Sequence, residues 1–142
     1  MDLTPTVRFS LDDGAYPPER AHATDAGSDL RTPVTLRVPP HGFGVVDTGV
    51  HVELPPHTAG LLVSKSGLYV TYAVTTTGLI DQGYTGSVRV GIVNNGNEWL
   101  LFRPGDKVTQ LVVMPVLYPT WELSTTITGG PRGSAGFGST GR

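Results

Sequence analysis

The chain has 142 residues, of which 19 are glycine and 12 are proline, while 15% are charged and none is cysteine. Because Gly and Pro cost about 1 and 3 kcal/mol inside a helix relative to Ala, this composition excludes a mostly helical fold. The absence of cysteine excludes disulfides, thiolate metal ligands and a Cys nucleophile, and a net charge of −2 gives no general attraction to nucleic acid or to a membrane.

The length predicts one domain, large enough to bury a core without disulfides. The longest apolar run, residues 111–118, is too short to span a bilayer. The first residues have no basic segment followed by an apolar stretch, as a secretory signal would. We therefore expect a soluble, cytoplasmic, β-rich protein with no nucleic-acid or membrane partner.

Four segments alternate apolar and polar residues, the pattern of a strand with one buried face. In chain order they are residues 7–11, 34–38, 50–54 and 88–92. Turn-forming residues separate the segments at 39–42, 55–57, 94–97 and 103–106. Short strands joined by such turns predict an antiparallel sandwich or barrel rather than βαβ units.

Two other segments complete the predicted framework. Residues 111–114 are apolar on both faces, which predicts a central strand or one covered by another subunit. The only helix that fits is a short turn after Ser66.

The last residues differ in composition from the rest of the chain. Residues 129–142 contain six glycines and a single large apolar residue, Phe137. Such a segment cannot bury a core of its own and is expected to be mobile until something holds it. We therefore predict a domain over residues 1–128 and a closing arm over residues 129–142.

The arm contains the pattern G-x-G-x-x-G at residues 136–141. A dinucleotide fingerprint needs a preceding strand and a following helix, and neither fits here. Glycines still let successive backbone N–H groups face an anion. Ser139 and Thr140 add hydroxyl donors, and Arg132 adds a guanidinium that matches phosphate oxygens.

Three other segments carry polar groups next to predicted strands. Residues 64–68 combine a lysine, two serines and a glycine, which suits either a small anion site or a polar turn. In residues 78–86, Asp81 follows two apolar residues and Tyr84 stands between glycines, which suits either a site or an Asx-type hairpin turn. Residues 25–30 form an acidic glycine turn that suits either a cation site or an ordinary loop.

The four histidines, at positions 22, 41, 51 and 57, lack metal-ligand spacing. We interpret them as surface residues.

Taken together and in this order, five segments resemble the five motifs of the trimeric deoxyuridine triphosphatases (dUTPases). They are AGSDL at 26–30, SKSGL at 64–68, GLIDQGYTG at 78–86, RPGDK at 103–107 continuing to Gln110, and RGSAGFGSTG at 132–141. Each motif is short, but their order and spacing cover nearly the whole chain.

The resemblance implies an all-β jelly-roll fold and a homotrimer whose active sites are shared between subunits. It implies hydrolysis of dUTP to dUMP and pyrophosphate, with Mg²⁺ bound to the triphosphate, which keeps uracil out of DNA. Asp81 would orient and deprotonate the water that attacks the α-phosphorus, and Tyr84 would pack under the deoxyribose and exclude a 2′-hydroxyl.

The resemblance also assigns the substrate-binding residues by position. The hairpin residues Thr75, Gly78, Leu79 and Ile80 would surround the uracil, and the phosphates would contact Lys65, Ser66, Gly67 and Gln110. Asp29 would lie near the metal through water. In the arm, Phe137 would stack on the uracil while Arg132, Gly138, Ser139 and Thr140 close over the β- and γ-phosphates.

Two residues depart from the family pattern. Lys65 stands where the family usually has Arg, and lysine keeps the charge without the bidentate fork. Thr75 stands where many members have Asn, so the side-chain part of uracil recognition differs while the backbone part does not depend on it.

Two other functions remain open from the sequence. A dCTP deaminase of the same fold needs a proton-shuttling carboxyl beside the base, and none of the four glutamates lies in the 78–86 segment. A non-catalytic, protein-binding trimer would be expected to have lost Asp81, Tyr84 or the arm, and all are present.

Overall fold

The computed structural model describes residues 3–141, so Met1, Asp2 and Arg142, the last residue of the predicted arm, lie outside the described residues. Within this range the chain forms ten strands and one short helix. The strands are β1 (Arg8–Leu11), β2 (Ser28–Arg31), β3 (Leu36–Val38), β4 (Phe43–Asp47), β5 (Val50–Glu53), β6 (Thr58–Val63), β7 (Val74–Ile80), β8 (Arg89–Asn94), β9 (Leu100–Phe102) and β10 (Lys107–Pro115), and the helix is α1 (Ser66–Tyr72).

All strand pairs are antiparallel. One six-stranded sheet has the order β2-β10-β6-β7-β8-β4, and two smaller sheets pair β1 with β5 and β3 with β9. The predicted all-β, antiparallel architecture is confirmed. None of the helical structure in residues 3–141 is long and apolar enough to cross a membrane.

Alternating side chains build the core where the sequence predicted it. Val50 and Val52 of β5 are buried, as are Val90 and Ile92 of β8. Successive side chains of a strand point to opposite faces, so the intervening residues are left toward solvent or a neighbouring loop. Burying one such valine or isoleucine stabilises the fold by about 1.5–3 kcal/mol.

Two of the predicted strand segments differ from this pattern. In β1, which pairs only with β5, Phe9 and Leu11 are 50% and 40% exposed. In the second segment, Val34 is exposed and lies in a turn in which its N–H and C=O both bind the Thr32 hydroxyl. The strand therefore begins two residues later, at Leu36.

The predicted central strand and helical turn are both confirmed. Strand β10 lies between β2 and β6. In its apolar middle Leu111 is buried, Val112 and Val113 are half-buried, and Met114 is exposed. Helix α1 spans seven residues, none of them buried, and ends where Ala73 adopts the left-handed conformation. The helix therefore links β6 to β7, and only its partly buried Leu68 packs against the core.

After β10 the described chain forms no further helix or strand. Its first hydrogen bond runs from the Val116 N–H to the His57 carbonyl, 2.9 Å away. Beyond that point several large apolar side chains are exposed: Leu117, Trp121, Leu123, Ile127 and Phe137.

Candidate active site

A tight turn after β7 places Asp81 and Tyr84 at the end of the sheet. The Tyr84 N–H donates to the Asp81 carbonyl over 3.1 Å, which closes the turn. Gly83 has φ of 90°, a conformation that glycine adopts without the steric penalty of a Cβ. We call residues 81–86 the 81–86 loop.

The Tyr84 ring is held across the backbone of this loop. Its hydroxyl donates to the Ser87 carbonyl over 2.9 Å. A Cβ at Gly86 would lie 2.5 Å from the phenol oxygen, so any other residue there would displace the ring. Gly86 is therefore needed for the position of the Tyr84 ring as well as for the turn.

Four of the predicted site residues line one cleft of about 230 Å³. It is lined by Leu79, Ile80, Asp81, Tyr84 and Arg89. Arg89, on the exposed face of β8, was not predicted, since an isolated arginine in an alternating strand has no sequence signal of its own.

Side chains from other elements hold both halves of the 81–86 loop. The Gln82 side-chain carbonyl accepts from the His57 N–H at 2.8 Å and from the Tyr118 hydroxyl at 2.9 Å. The Thr85 carbonyl binds Nδ1 of His51 at 2.7 Å. The interpretation of the histidines as surface residues does not anticipate that His51, whose side chain is 28% exposed, is bonded at both ring nitrogens.

The strand that precedes the loop changes partner along its length. Strand β7 pairs with β8 over residues 74–77 and with β6 over residues 77–80. The Thr75 hydroxyl accepts from the Asn95 amide at 2.8 Å, a contact the sequence did not suggest. A Cβ at Gly78 would lie 2.8 Å from Leu62, so the glycine permits the close approach of β6 and β7.

A second cluster forms around Asp29, in β2. This carboxylate is only 4% exposed, and its two oxygens bind two ammonium groups. Lys65 contacts Oδ1, and Lys107 contacts Oδ2 at 2.9 Å. Lys107 was not predicted as a site residue, although it belongs to the fourth motif.

The electrostatics of Asp29 reflect two opposing effects. Burial, the largest single influence, raises the pKa of the carboxyl group. The hydrogen bonds and charges of Lys65 and Lys107 together outweigh burial, so the pKa of Asp29 is lowered. The carboxylate is therefore ionised and paired at neutral pH.

Gln110 lies beside this cluster, in register with Asp29. Its amide N–H donates to the Ser64 carbonyl at 3.1 Å. A Cβ at Gly27 would lie 2.5 Å from the Gln110 side-chain oxygen, so glycine is required there. Ser66 and Gly67, at the start of α1, are exposed.

The two clusters lie at opposite ends of the β6–β7 pair. Ile80, the residue before Asp81, pairs with Gly60 near the start of β6, whereas Lys65 follows the end of β6. At about 3.3 Å per residue, the five residues from Gly60 to Lys65 span about 16 Å. A single chain thus does not bring Asp81 and Lys65 together.

The arm residues also stand apart from both clusters. In the described part, residues 129–141, Phe137 is fully exposed, as are Arg132, Gly138, Ser139 and Thr140. The hydrogen bonds of this part are all internal, for example from Arg132 to the Ala135 carbonyl at 3.0 Å. Their predicted role remains a prediction.

Comparison with known proteins identifies relatives over almost the full length. A family model described as dUTPase matches residues 14–141. The deoxyuridine 5′-triphosphate nucleotidohydrolase of Gloeothece citriformis is 36% identical over 134 residues, covering 92% of each chain. The enzyme of the same name from Clostridium acetobutylicum is also 36% identical, again covering 92% of each chain.

Solved structures lead to the same family. The Staphylococcus bacteriophage 80alpha dUTPase with dUPNHPP has a TM-score of 0.87 and 30% identity, covering 98% of this chain and 100% of that one. A mutant dUTPase from phage phi11 of S. aureus, described as coordinating a structural Mg(II) ion, has a TM-score of 0.79 and 29% identity, covering 86% of this chain and 98% of that one. The predicted jelly-roll architecture is confirmed by these neighbours.

Proposed function

Because the chain belongs to the dUTPase family and is a dUTP diphosphatase, we propose that Asp81 activates the water that attacks the α-phosphorus of dUTP. The observation that carries this proposal is the cleft in which Asp81 lies beside Leu79, Ile80 and Tyr84. Among residues 3–141 no side chain binds the Asp81 carboxylate, so it is free to accept a proton from water. A positioned general base contributes about 10²–10⁴ in rate.

Attack at the α-phosphorus breaks its bond to the bridging oxygen of the β-phosphate. The products are then dUMP and pyrophosphate, and the proton of the attacking water passes to Asp81. Removal of dUTP in this way keeps uracil out of DNA.

In this proposal, Tyr84 distinguishes deoxyribose from ribose. Its hydroxyl and Gly86 fix the ring against the loop, so the ring face is a rigid surface rather than a mobile side chain. A rigid surface rejects an additional 2′-hydroxyl by steric exclusion better than a flexible one.

The uracil edge would be read by the backbone of β7. Residues 78–80 pair with β6 but lie beyond the ladder that joins β7 to β8. Their outward backbone groups are therefore suited to bind the polar edge of a base. Thr75, whose hydroxyl accepts from Asn95, lies at the other end of the strand.

The separation of the two clusters supports a site shared between subunits of a homotrimer. A general base must lie within hydrogen-bond distance of its water, whereas Asp81 and Lys65 are about 16 Å apart along the sheet. The 81–86 loop of one chain would therefore act on a triphosphate held by another chain.

The triphosphate would be held by the cluster around Asp29. Ser66 and Gly67 are exposed and present donors at the start of α1, while Lys65 and Gln110 border them. Lys107 adds a second ammonium group on the same carboxylate. Fixed cations and N–H donors stabilise the charge that develops on the phosphates in the transition state.

The residues present fit a magnesium ion carried by the substrate rather than one held in a protein cage. Among the described residues no three His, Asp or Glu side chains are grouped to hold a metal. Mg²⁺ keeps several waters and often binds substrate phosphates with one or two carboxylates. Asp29, whose oxygens both bind lysines, would face such an ion only through water. When bound, the ion neutralises negative charge on the triphosphate.

The arm would close over the bound nucleotide. Its residues make only internal hydrogen bonds in the described part, so nothing there ties the arm to its own domain. Phe137 is then available to stack on the uracil, and Arg132, Gly138, Ser139 and Thr140 to bind the outer phosphates. Closure would exclude water other than the nucleophile.

The test is a comparison of nucleotides. We expect the enzyme to release pyrophosphate from dUTP but not from dCTP, dTTP or UTP, and to lose activity when Mg²⁺ is chelated. A solution mass of three chains would support the shared site. Equal turnover of UTP would contradict the role of Tyr84, and release of ammonia from dCTP would indicate a deaminase.

We place the reaction in the cytoplasm, since a triphosphate does not cross membranes unaided.

A further inference from the structure

His51, in the middle of β5, binds two acceptors that carry no hydrogen. Its Nδ1 lies 2.7 Å from the Thr85 carbonyl oxygen, and its Nε2 lies 3.0 Å from an oxygen of Asp12. A carbonyl and a carboxylate only accept, so each ring nitrogen must donate. Both bonds exist together only when the ring is an imidazolium.

The charges around His51 favour that state. The negative charges of Asp12, after β1, and Asp47, at the end of β4, act on the ring. The ion pair of Arg8 and Glu53, at 2.5 Å, lines the same pocket as His51, and Arg89 in β8 acts on Asp47. The bond to the Thr85 carbonyl and then the bond to Asp12 raise the pKa of His51, and the charge of Asp47 adds to the shift.

Thr85 belongs to the 81–86 loop and follows Tyr84 directly. The next residues are also anchored, because the Ser87 hydroxyl binds Asp47 and the Ser87 carbonyl accepts from Tyr84. The half of the loop that carries Tyr84 is thus held by Asp47 at the end of β4 and by His51 in β5. Of these anchors, the one at His51 is the one whose hydrogen bonding depends on the protonation of an imidazole.

We propose that His51, oriented by Asp12, is a positioning residue for dUTP hydrolysis: its ring N–H holds the Thr85 carbonyl and thereby the loop that carries Asp81 and Tyr84. The inference rests on the proposed roles of Asp81 and Tyr84. His51 does not line the cleft and acts through the backbone of the loop.

The pH dependence follows from the charge of the ring. Because the pKa of His51 is raised in the folded protein, both bonds are present at lower pH and one is lost as pH rises through that pKa. A neutral imidazole has one N–H for two acceptors. The loop should therefore be held less well on the alkaline side.

The test uses His51→Gln and Asp12→Asn in the full-length protein. A glutamine amide retains a donor but cannot be an imidazolium, so we expect kcat/KM for dUTP to fall about three- to tenfold near neutral pH, mainly through kcat. The ratio of wild-type to variant kcat/KM should approach one as pH rises. Asp12→Asn should move this change to lower pH, because it removes the nearest negative charge.

The matched control is His22→Gln. His22 also pairs with an aspartate, its Nδ1 lying 3.2 Å from Asp25, but its side chain is 80% exposed and distant in sequence from the 81–86 loop. This variant should retain the wild-type kcat/KM and pH profile. NMR of the ring nitrogens provides a readout without activity, and it should show both ring nitrogens of His51 protonated at pH 6.5.

Two results would overturn the inference. One is a His51→Gln enzyme with the wild-type kcat/KM and pH profile, and the other is a neutral His51 ring at pH 6.5. If His51→Gln does not fold, Asp12→Asn and the NMR titration decide the matter. Retained turnover in Asp81→Asn would instead refute the proposed function, so the two failures are distinguishable.

Discussion

At the level of single residues, the carboxylates of Asp29 and Asp81 differ in what surrounds them. Asp29 has an ammonium group on each oxygen, while no described side chain binds Asp81. A paired carboxylate is stabilised as an anion and is a poor proton acceptor, whereas an unpaired one beside a cleft can accept a proton from water. The same residue type therefore serves structure at one position and is proposed to serve chemistry at the other.

Asp81→Asn tests the chemical role. We expect kcat to fall about 10²–10⁴-fold, because an amide cannot accept the proton of the attacking water, while dUTP still binds. Steady-state kinetics and calorimetric titration with a non-hydrolysable analogue measure the two properties. Asp13→Asn, at an exposed turn position, is the matched control and should behave as wild type. Near-normal turnover in Asp81→Asn would remove this residue from the mechanism.

Asp29→Asn tests the structural role. We expect it to lower the free energy of unfolding at pH 7 by about 1.5–3 kcal/mol, the range for hydrogen bonds to charged groups. Because the pKa of Asp29 in the folded protein lies below its ordinary value, the stabilisation is present above that ordinary value and is lost as pH falls through the folded pKa. Urea denaturation of both proteins should therefore show a difference that shrinks at acidic pH. A difference independent of pH would contradict the charge pairing.

At the level of elements, strand β7 and the arm differ in how many contacts hold them to the rest of the domain. Strand β7 is held by β6 and β8, and the turn after it is closed by a backbone hydrogen bond. The described part of the arm has no strand, no helix and only internal hydrogen bonds. An element with so few contacts orders only if a ligand offsets its conformational entropy, of about 1–2 kcal/mol per residue.

Deletion of residues 129–142 tests the arm as an element. We expect the truncated protein to keep the melting temperature and the number of chains per assembly of the full-length protein, because the described residues of this segment contribute nothing to the core. It should lose nearly all dUTP hydrolysis, because the nucleotide is no longer enclosed. Light scattering, thermal denaturation and pyrophosphate release measure these outcomes. A truncated enzyme with full activity would show that the arm takes no part in the reaction.

At the level of the whole molecule, the residues proposed to form the site lie at two ends of one sheet. The cluster at Lys65 and the 81–86 loop are both well ordered by their own strands, but they do not meet within a chain. Symmetric assembly allows one chain to complete the site of its neighbour. Activity in this proposal is therefore a property of the oligomer.

Mixing two inactive variants tests that dependence. Asp81→Asn damages the loop, and Ser66→Asp places a negative charge where the triphosphate would bind, at an exposed position that tolerates substitution. When the two proteins are unfolded and refolded together, about a quarter of the sites should contain both intact parts, given random assembly of closed rings. Pyrophosphate release should recover to that extent. Persistent inactivity of the mixture would indicate that each chain holds a complete site.

Local sequence patterns determined the strands, the turns and the two ends of the site. The period of two placed Val50, Val52, Val90 and Ile92 in the core, and the segment 78–86 placed Asp81 and Tyr84 in one turn, since contacts between residues close in the chain depend mainly on local geometry. The family could be predicted from the sequence because its five motifs are contiguous segments in a fixed order.

Only the tertiary structure decided which distant side chains meet. The pairing of Asp29 with Lys107 depends on the register of β2 against β10, and the link from His51 to Thr85 joins residues 34 positions apart. The exposure of Phe9 depends on which strand lies beside β1, not on its own alternation. Register and sheet order arise from the sum of many weak contacts across the whole chain, so no short segment encodes them.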